Sequence, residues 1–286
     1  MKILVTGVTG QLGHDVVHEG KLRGLHIIGV GSKDLDLRDK FKVAAFIKDL
    51  KPDAIIHCAA YTAVDNAEDE RETCWDVNVN GTKFLVEAAK EHNCKFIYIS
   101  TDYVFDGEGK IPFKEDSPIK PLSYYGYTKA EGEKIVQETI ENYFIVRISW
   151  VFGINGNNFV KTMLKLSESR EELNIVADQV GSPTYTYDLA KVLIDMVKST
   201  NYGIYHCTNK GYCSWADFAK KIFEYTDKEV QVNEICSEDY PTKAPRPKNS
   251  RLSNTNFTNS GFSEMPGWED ALERYLKTLK LEVNYK

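Results

Sequence analysis

The segment that most constrains this chain is "TGVTGQLG" at residues 6–13, where an apolar run, "KILVTG", turns into a helical stretch reaching about Arg23. Its glycines fall at Gly7, Gly10 and Gly13. Glycine lets a backbone turn tightly, approach a ligand closely and pack a helix against a sheet. A strand-to-helix junction also offers unpaired N–H groups and the positive end of a helix dipole. Turn-making and packing alone would account for three glycines. Their place between a strand and a helix points further, to a cradle for a dinucleotide pyrophosphate.

The segments that follow extend the same pattern. "LHIIGV", "DAIIHCA", "KFIYIS" and "YFIVRIS" read as strands, separated by helical stretches over about 39–50, over 66–92 and around Tyr125. Continuous apolar runs suit strands buried on both faces, and their alternation with helices predicts an α/β fold built on a doubly wound, Rossmann-type parallel sheet. From about Trp150 the rhythm loosens. Helical stretches near 157–169, 186–198, 214–226 and 267–280 alternate with the short strands "LNIVAD", "GIYHCTN" and "VQVNEI", and "PTKAPRPKNSRLSN" reads as a loop. The expected division is a dinucleotide-binding domain over 1–150, joined by parts of 170–200. A smaller α/β substrate-binding lobe over 151–286 is expected to lie across the carboxyl ends of the strands, where open α/β sheets bind ligands.

Composition excludes several other classes. The chain of 286 residues is 42% hydrophobic and 27% charged, which is ordinary for a soluble globular protein with a substantial core. A net charge of −6 argues against a broad nucleic-acid surface. No apolar run approaches the roughly 18–20 residues that span a bilayer, and "MKILVTG" enters a strand without the apolar stretch of a signal peptide. A cytoplasmic protein with neither membrane nor nucleic-acid partner is therefore expected. The six cysteines (58, 74, 94, 207, 213 and 236) include no C-x-x-C and sit mostly in apolar segments, so they read as reduced core thiols. His14 and His18 share a helix face but lack an acidic partner, and that face reads as solvated rather than metal-binding.

Three further segments carry chemistry. An NAD-selective site wants a carboxylate about 20 residues past the glycines, where this chain has Gly31 and Ser32. Asp34 and Asp36 come slightly later, and Lys33 is placed to meet a 2′-phosphate, so NADPH and NADH are both expected to serve. In "SYYGYTK", Tyr125 and Lys129 stand four apart on one helix face, while Tyr124 and Tyr127 point elsewhere. A phenol titrates near pH 10, and a neighbouring ammonium lowers that value. "ISTDYVF" at 99–105 closes an apolar strand, so Ser100, Thr101 and Asp102 should emerge at the ligand-binding edge. Hydroxyl, phenol and ammonium together make a carbonyl-reducing constellation.

With TGxxGxxG, "HCAAYTAVD", "NVNGT" and YxxxK in this order, the chain resembles the extended short-chain dehydrogenase/reductases. Within them it is similar to the dTDP-4-dehydrorhamnose reductases, through "AAYTAVDNAE", "STDYVFDG", "YGYTKAEGEK", "RISWVFG", "GNNFVKTM", "DQVGSPTYT" and "RPKNSRL". The resemblance runs from residue 6 to 252. It implies hydride transfer from NADPH or NADH to the C4 ketone of dTDP-4-dehydro-L-rhamnose, yielding dTDP-L-rhamnose. Tyr125 would be the general acid, Lys129 would hold the nicotinamide ribose and lower the Tyr125 pKa, and Thr101 would bind the carbonyl oxygen. Gly10, Gln11 and Leu12 would line the pyrophosphate, Asp36 and Leu37 the adenine, and Ala60, Tyr61 and Thr62 the length of the cofactor. Asp102, Trp150, Asn158, Arg246 and Arg251 would contact the nucleotide sugar. Some members of the family bind magnesium at a dimer contact. Asp15 could supply a ligand here, but Tyr187 stands where the next acid is expected, so no metal is assigned and the chain is left as a monomer or homodimer. Another nucleotide-sugar ketoreductase or epimerase would share these motifs. So would a non-catalytic regulatory subunit of the methionine adenosyltransferase type.

Overall fold

A computed structural model describes residues 1–284. Five strands of the first half form its central sheet: β1 (Lys2–Thr6), β2 (His26–Val30), β3 (Ala54–His57), β4 (Lys95–Thr101) and β5 (Tyr143–Ile148). A sixth strand, β10 (Gly203–His206), completes the order β10-β5-β4-β3-β1-β2, with every neighbouring pair parallel. The chain leaves β1 for β2 on one side and returns to β3 on the other. A crevice therefore opens between the carboxyl ends of β1 and β3, the switch point at which such sheets take ligands.

Successive residues of a strand face opposite ways, and each face of this sheet has its own core. Ile3 and Val5 join the side chains of α1 (Gln11–Leu22) and α7 (Thr186–Lys198), while Leu4 points to α2 (Lys40–Leu50), α4 (Gly81–Glu91) and α5 (Tyr124–Thr139). Burial on both faces explains why these strands are unbroken apolar runs.

The second lobe is built from smaller pieces. Strand β7 (Glu172–Val176) pairs in parallel with β12 (Gln231–Ile235), β6 (Val151–Phe152) pairs with β9 (Thr184–Tyr185), and β8 (Val180–Gly181) lies between β11 (Cys213–Ser214) and β13 (Asn249–Ser250). Helices α6 (Phe159–Leu166), α8 (Trp215–Tyr225) and α10 (Trp268–Asn284) supply much of its aromatic core, through residues such as Phe218, Trp268 and Tyr275, which pack with Phe152 of β6. Within 170–200, α7 packs on the large sheet and β7 belongs to the smaller lobe. The sheet's last strand, β10, comes from "GIYHCTN", which the sequence alone placed among the short strands of the second half.

Two other expectations change. The helical stretch over 66–92 is a one-turn helix at Asn66–Glu68, then α3 (Arg71–Trp75), a π-helical turn over Asp76–Asn80, and α4. Asn78, buried in that turn, explains the break: its amide accepts from the Tyr61 N–H and donates to the Thr128 hydroxyl. The cysteines are all free, with Cys74, Cys94, Cys207 and Cys213 buried, but Cys58 is only partly buried and Cys236 is exposed. The short helix α9 (Thr255–Asn259) buries Phe257 against β10.

Candidate active site

A cavity of about 730 Å³ opens at the switch point. One end is the turn after β1. Gly7 has φ +71°, and an added Cβ there would lie 2.6 Å from the Ala59 nitrogen. At Gly13 an added Cβ would lie 2.4 Å from the Gly7 carbonyl oxygen, so no larger residue fits between turn and helix. Gly10 caps α1 in an extended conformation with no side-chain hydrogen bond to the first turn. The amides of that turn are thus left for a ligand, and Gly10, Gln11, Leu12 and Gly13 all line the cavity. A segment of the second half braces this loop from outside. The Asn155 amide donates to the carbonyls of Thr9 at 2.8 Å and Gly10 at 3.2 Å.

The rim beyond β2 holds Gly31, Ser32, Asp36, Leu37 and Arg38. Asp36 is held well below the usual carboxylate range, at about 2, by hydrogen bonds from Arg38. Lys33 is exposed and does not line the cavity, so the cation at the rim is Arg38 rather than the expected lysine. Asp34 instead accepts from the Gly31 N–H at 2.8 Å and shapes the turn. Arg38 was missed in the sequence because it lies two residues beyond Asp36. A guanidinium spaced to pair with a strand-end acid was the available signal.

At the other end, Thr101, Asp102, Tyr125 and Lys129 converge. The Ser123 hydroxyl caps α5, accepting from the Gly126 N–H at 3.2 Å, and so sets which face of the helix meets the cavity. Only Tyr125 of the three clustered tyrosines lines it. Tyr127 is exposed and packs near Trp75, and the Tyr124 ring lies under the Arg71 guanidinium. Thr101 ends β4; its hydroxyl donates to Asp102 Oδ1 at 3.0 Å. Burial raises the Asp102 carboxyl to about 6, against hydrogen bonds from Ser250 and Thr101, and its Oδ2 is buried without a partner among the described residues.

Burial raises the Tyr125 phenol above its ordinary range, and the Asp102 charge adds to this while a hydrogen bond with Thr101 opposes it. The expected lowering by Lys129 is therefore not what the geometry produces; desolvation of the phenolate wins. Lys129 is pulled down to about 7 by burial, with the charge of Glu133 acting in the other direction. Its ammonium lies 4.0 Å from the centre of the Tyr98 ring, and among the described residues it makes no ion pair.

The remaining expected residues divide. Ala60 and Thr62 line the cavity, but the Tyr61 hydroxyl donates to Glu70 at 2.8 Å, away from it. Trp150, at φ +49°, forms part of the wall and stacks on Trp215 with centroids 3.6 Å apart. Asn158 does not reach the cavity. It caps α6 through the Lys161 N–H and donates to Gln11 Oε1 at 3.0 Å, tying the second lobe to the glycine turn. Arg246 also lies outside the lining. It pairs with Asp65 and donates to the Tyr103 hydroxyl at 3.4 Å, and Tyr103 itself forms part of the wall. Arg251 turns to Asn249 Oδ1 at 2.9 Å. Asp15 accepts from the Thr186 hydroxyl, and no cluster of acidic, histidine or cysteine side chains among the described residues has the arrangement of a metal site.

Comparison with known proteins places the chain. The family model described as "RmlD substrate binding domain" matches residues 1–281. A crystal structure of a dTDP-4-dehydrorhamnose reductase from Clostridium acetobutylicum is 42% identical, with a TM-score of 0.96 over 98% of this chain and 100% of that one. The Bacillus anthracis dTDP-4-dehydrorhamnose reductase, solved in complex with NADP, is 41% identical with a TM-score of 0.94, covering 97% and 100%. The dTDP-4-dehydrorhamnose reductase of Aggregatibacter actinomycetemcomitans is 41% identical over 288 residues, 95% of this chain and 97% of that protein. Glycine turn, phenol, lysine and hydroxyl thus stand in a chain that matches these reductases almost end to end, and the protein belongs to the RmlD substrate binding domain family, that of the dTDP-4-dehydrorhamnose reductases.

Proposed function

We propose that the protein reduces the C4 ketone of dTDP-4-dehydro-L-rhamnose to dTDP-L-rhamnose with NADPH or NADH, as a cytoplasmic enzyme of dTDP-rhamnose biosynthesis. The observation that carries this is the meeting of Thr101, Tyr125 and Lys129 in one cavity whose far end is the glycine turn. The dinucleotide fits by the chemistry of its surroundings. An uncapped helix N-terminus suits the pyrophosphate, and a side chain at Gly7 or Gly13 would collide with backbone. When bound, the nicotinamide supplies the hydride.

The chain's own groups do the rest. Tyr125, raised above its ordinary range, stays protonated at neutral pH, the state a proton donor to a developing alkoxide must have. Thr101 has a hydroxyl beside that phenol and, by turning its one proton away from Asp102 Oδ1, can donate to the same oxygen as charge builds on it. Lys129, buried at the cavity wall without an ion-pair partner among the described residues, is available to a ribose hydroxyl and to the phenol. Asp102 and Trp150 form the wall on the substrate side, and the Arg246–Tyr103 contact is the corner from which a guanidinium can meet a diphosphate.

The test is incubation with dTDP-4-dehydro-L-rhamnose and either reduced cofactor, followed by nicotinamide absorbance and by NMR of the product. Oxidation of the cofactor with formation of dTDP-L-rhamnose is expected. A product of other stereochemistry would make this a different nucleotide-sugar reductase. Tight cofactor binding without turnover on any 4-keto sugar nucleotide would leave a non-catalytic binding protein.

A further inference from the structure

One turn behind Lys129 on α5 lies Glu133, a buried carboxylate outside the cavity lining. Each of its oxygens is occupied. Oε1 accepts from the Ser100 hydroxyl and from Arg147 Nε at 2.9 Å, and Oε2 accepts from Arg147 Nη2 at 2.7 Å. Arg147, on β5, is itself 2% exposed, the largest fully buried side chain among the described residues. It is fixed from its other side by the Glu115 carbonyl at 3.0 Å and by the Phe105 ring, with His206 Nε2 at 3.4 Å. Residues four apart on a helix ordinarily face each other closely enough for a lysine and a glutamate to pair. Here they do not pair, because Arg147 and Ser100 have claimed the carboxylate.

We propose that Arg147 and Ser100 restrain Glu133 from closing on Lys129, so that Glu133 acts as a fixed charge tuning the lysine and Arg147 is a positioning residue for the catalytic constellation. A two-pronged guanidinium grip is directional, unlike a lysine contact, and suits this role. A buried pair of this kind contributes little net stability over apolar side chains of similar volume, so fold stability alone accounts poorly for it.

Several groups face Lys129 from the elements around it. His57 ends β3 and Cys58 follows it, Cys74 stands on α3, Tyr98 on β4, and Tyr125 and Glu133 on its own helix. His57 is buried between the hydroxyls of Thr6 and Thr82 and titrates near 3, so it is neutral at working pH; Cys58 is raised to about 12 and is likewise uncharged. Glu133 is therefore the carboxylate whose charge bears on Lys129, and Arg147 governs that charge.

This inference rests on the reductase reading only for the importance of Lys129. Its test needs neither substrate nor cofactor. The chain is labelled at lysine Cε, Lys129 is assigned through Lys129→Arg, and its midpoint is followed by NMR titration. Arg147→Met frees Glu133 to attract the ammonium and should raise the midpoint by on the order of one pH unit. Glu133→Gln leaves Arg147 as an unbalanced cation and should lower it by a similar amount. The double variant Glu133→Gln/Arg147→Met should return close to the wild-type value. Ser100→Ala, a milder change that keeps the ion pair, should move the midpoint upward by a smaller step and reports even where the charge variants fail to fold. Opposite shifts with recovery in the double variant support the proposal, since a packing role gives no sign reversal. Shifts of the same sign, or an unmoved midpoint in Ser100→Ala and in every folded charge variant, overturn it. Activity with the keto-sugar is scored separately, so loss of the proposed function does not decide this result.

Discussion

Asp36 takes two hydrogen bonds from the Arg38 guanidinium, from Nε at 2.9 Å and Nη2 at 2.8 Å, at the rim where the cavity meets the end of β2. The pair joins an acceptor for a ribose hydroxyl to a cation for a phosphate. A cofactor without the 2′-phosphate can bind against the acid, and one with it can draw on the guanidinium.

Arg38→Ala should accordingly weaken NADPH by roughly 10- to 100-fold, the range for losing a charge-assisted hydrogen bond. NADH should change by no more than about threefold. Lys33→Ala should leave both nearly unaltered, because Lys33 is not in the cavity wall. Dissociation constants from fluorescence titration decide the matter, and an equal loss for both cofactors in Arg38→Ala would remove this role.

Replacing Tyr125 by Phe keeps the ring that packs edge-on against Tyr103, with centroids 5.6 Å apart, and removes the proton donor. Turnover should fall by a factor on the order of 10²–10⁴, with cofactor affinity almost unaltered. Tyr127→Phe, at an exposed position, should retain full activity. Steady-state kinetics of the two variants with the same keto-sugar preparation provides the comparison, and undiminished turnover in Tyr125→Phe would sink the assignment.

Gly126, between those two tyrosines, allows α5 to press on the loop carrying the active-site hydroxyl. An added Cβ would stand 2.2 Å from the Tyr103 carbonyl oxygen, which is backbone and has little room to yield. Gly126→Ala should cost about 1–3 kcal/mol of stability as an overpacking change. Because the collision is with the turn that follows Thr101, turnover should drop as well. Urea unfolding together with kcat tests both. An unchanged midpoint would mean that helix and turn can separate freely.

Asp102 gives a pH signature. Its folded value of about 6 lies above the unfolded value near 3.9, so between those pH values the folded state binds more protons. Stability from this group is therefore greatest at low pH and is lost as pH rises through the window. Asp102→Asn cannot ionise. Measured against wild type, it should be more favourable at pH 7 than at pH 4 by on the order of 2–3 kcal/mol. Denaturant curves at the two pH values test this, and a difference that does not change with pH would place the carboxyl's titration at its ordinary value.

What the sequence disclosed follows from how local each feature is. The glycine turn and Tyr125–Lys129 are set by spacing along one strand-turn-helix or one helix face, and both line the same cavity. Arg38 depends on which way a side chain leaves a turn, and the turn is shaped by Asp34 bonding to Gly31. Asn158, Arg246 and Arg251 were chosen for their functional groups. Their partners Gln11, Asp65 and Asn249 are fixed by tertiary folding, and for two of the three they lie more than a hundred residues away. The break at Asp76–Asn80 was hidden for a similar reason, since Asn78 is a poor signal until Tyr61 and Thr128 are seen beside it. The pairing of Glu133 with Arg147 links a helix to a strand and is likewise invisible to periodicity.

Strand β10 closes one side of the large sheet by bonding along β5 from Phe144 to Arg147. A fragment ending near residue 150 would leave the β5 backbone without that partner and carry a bare, strongly apolar margin into solvent. Such margins recruit other chains. The first half is thus not a transplantable cassette, and deleting the second would convert a covered sheet margin into a template for self-association.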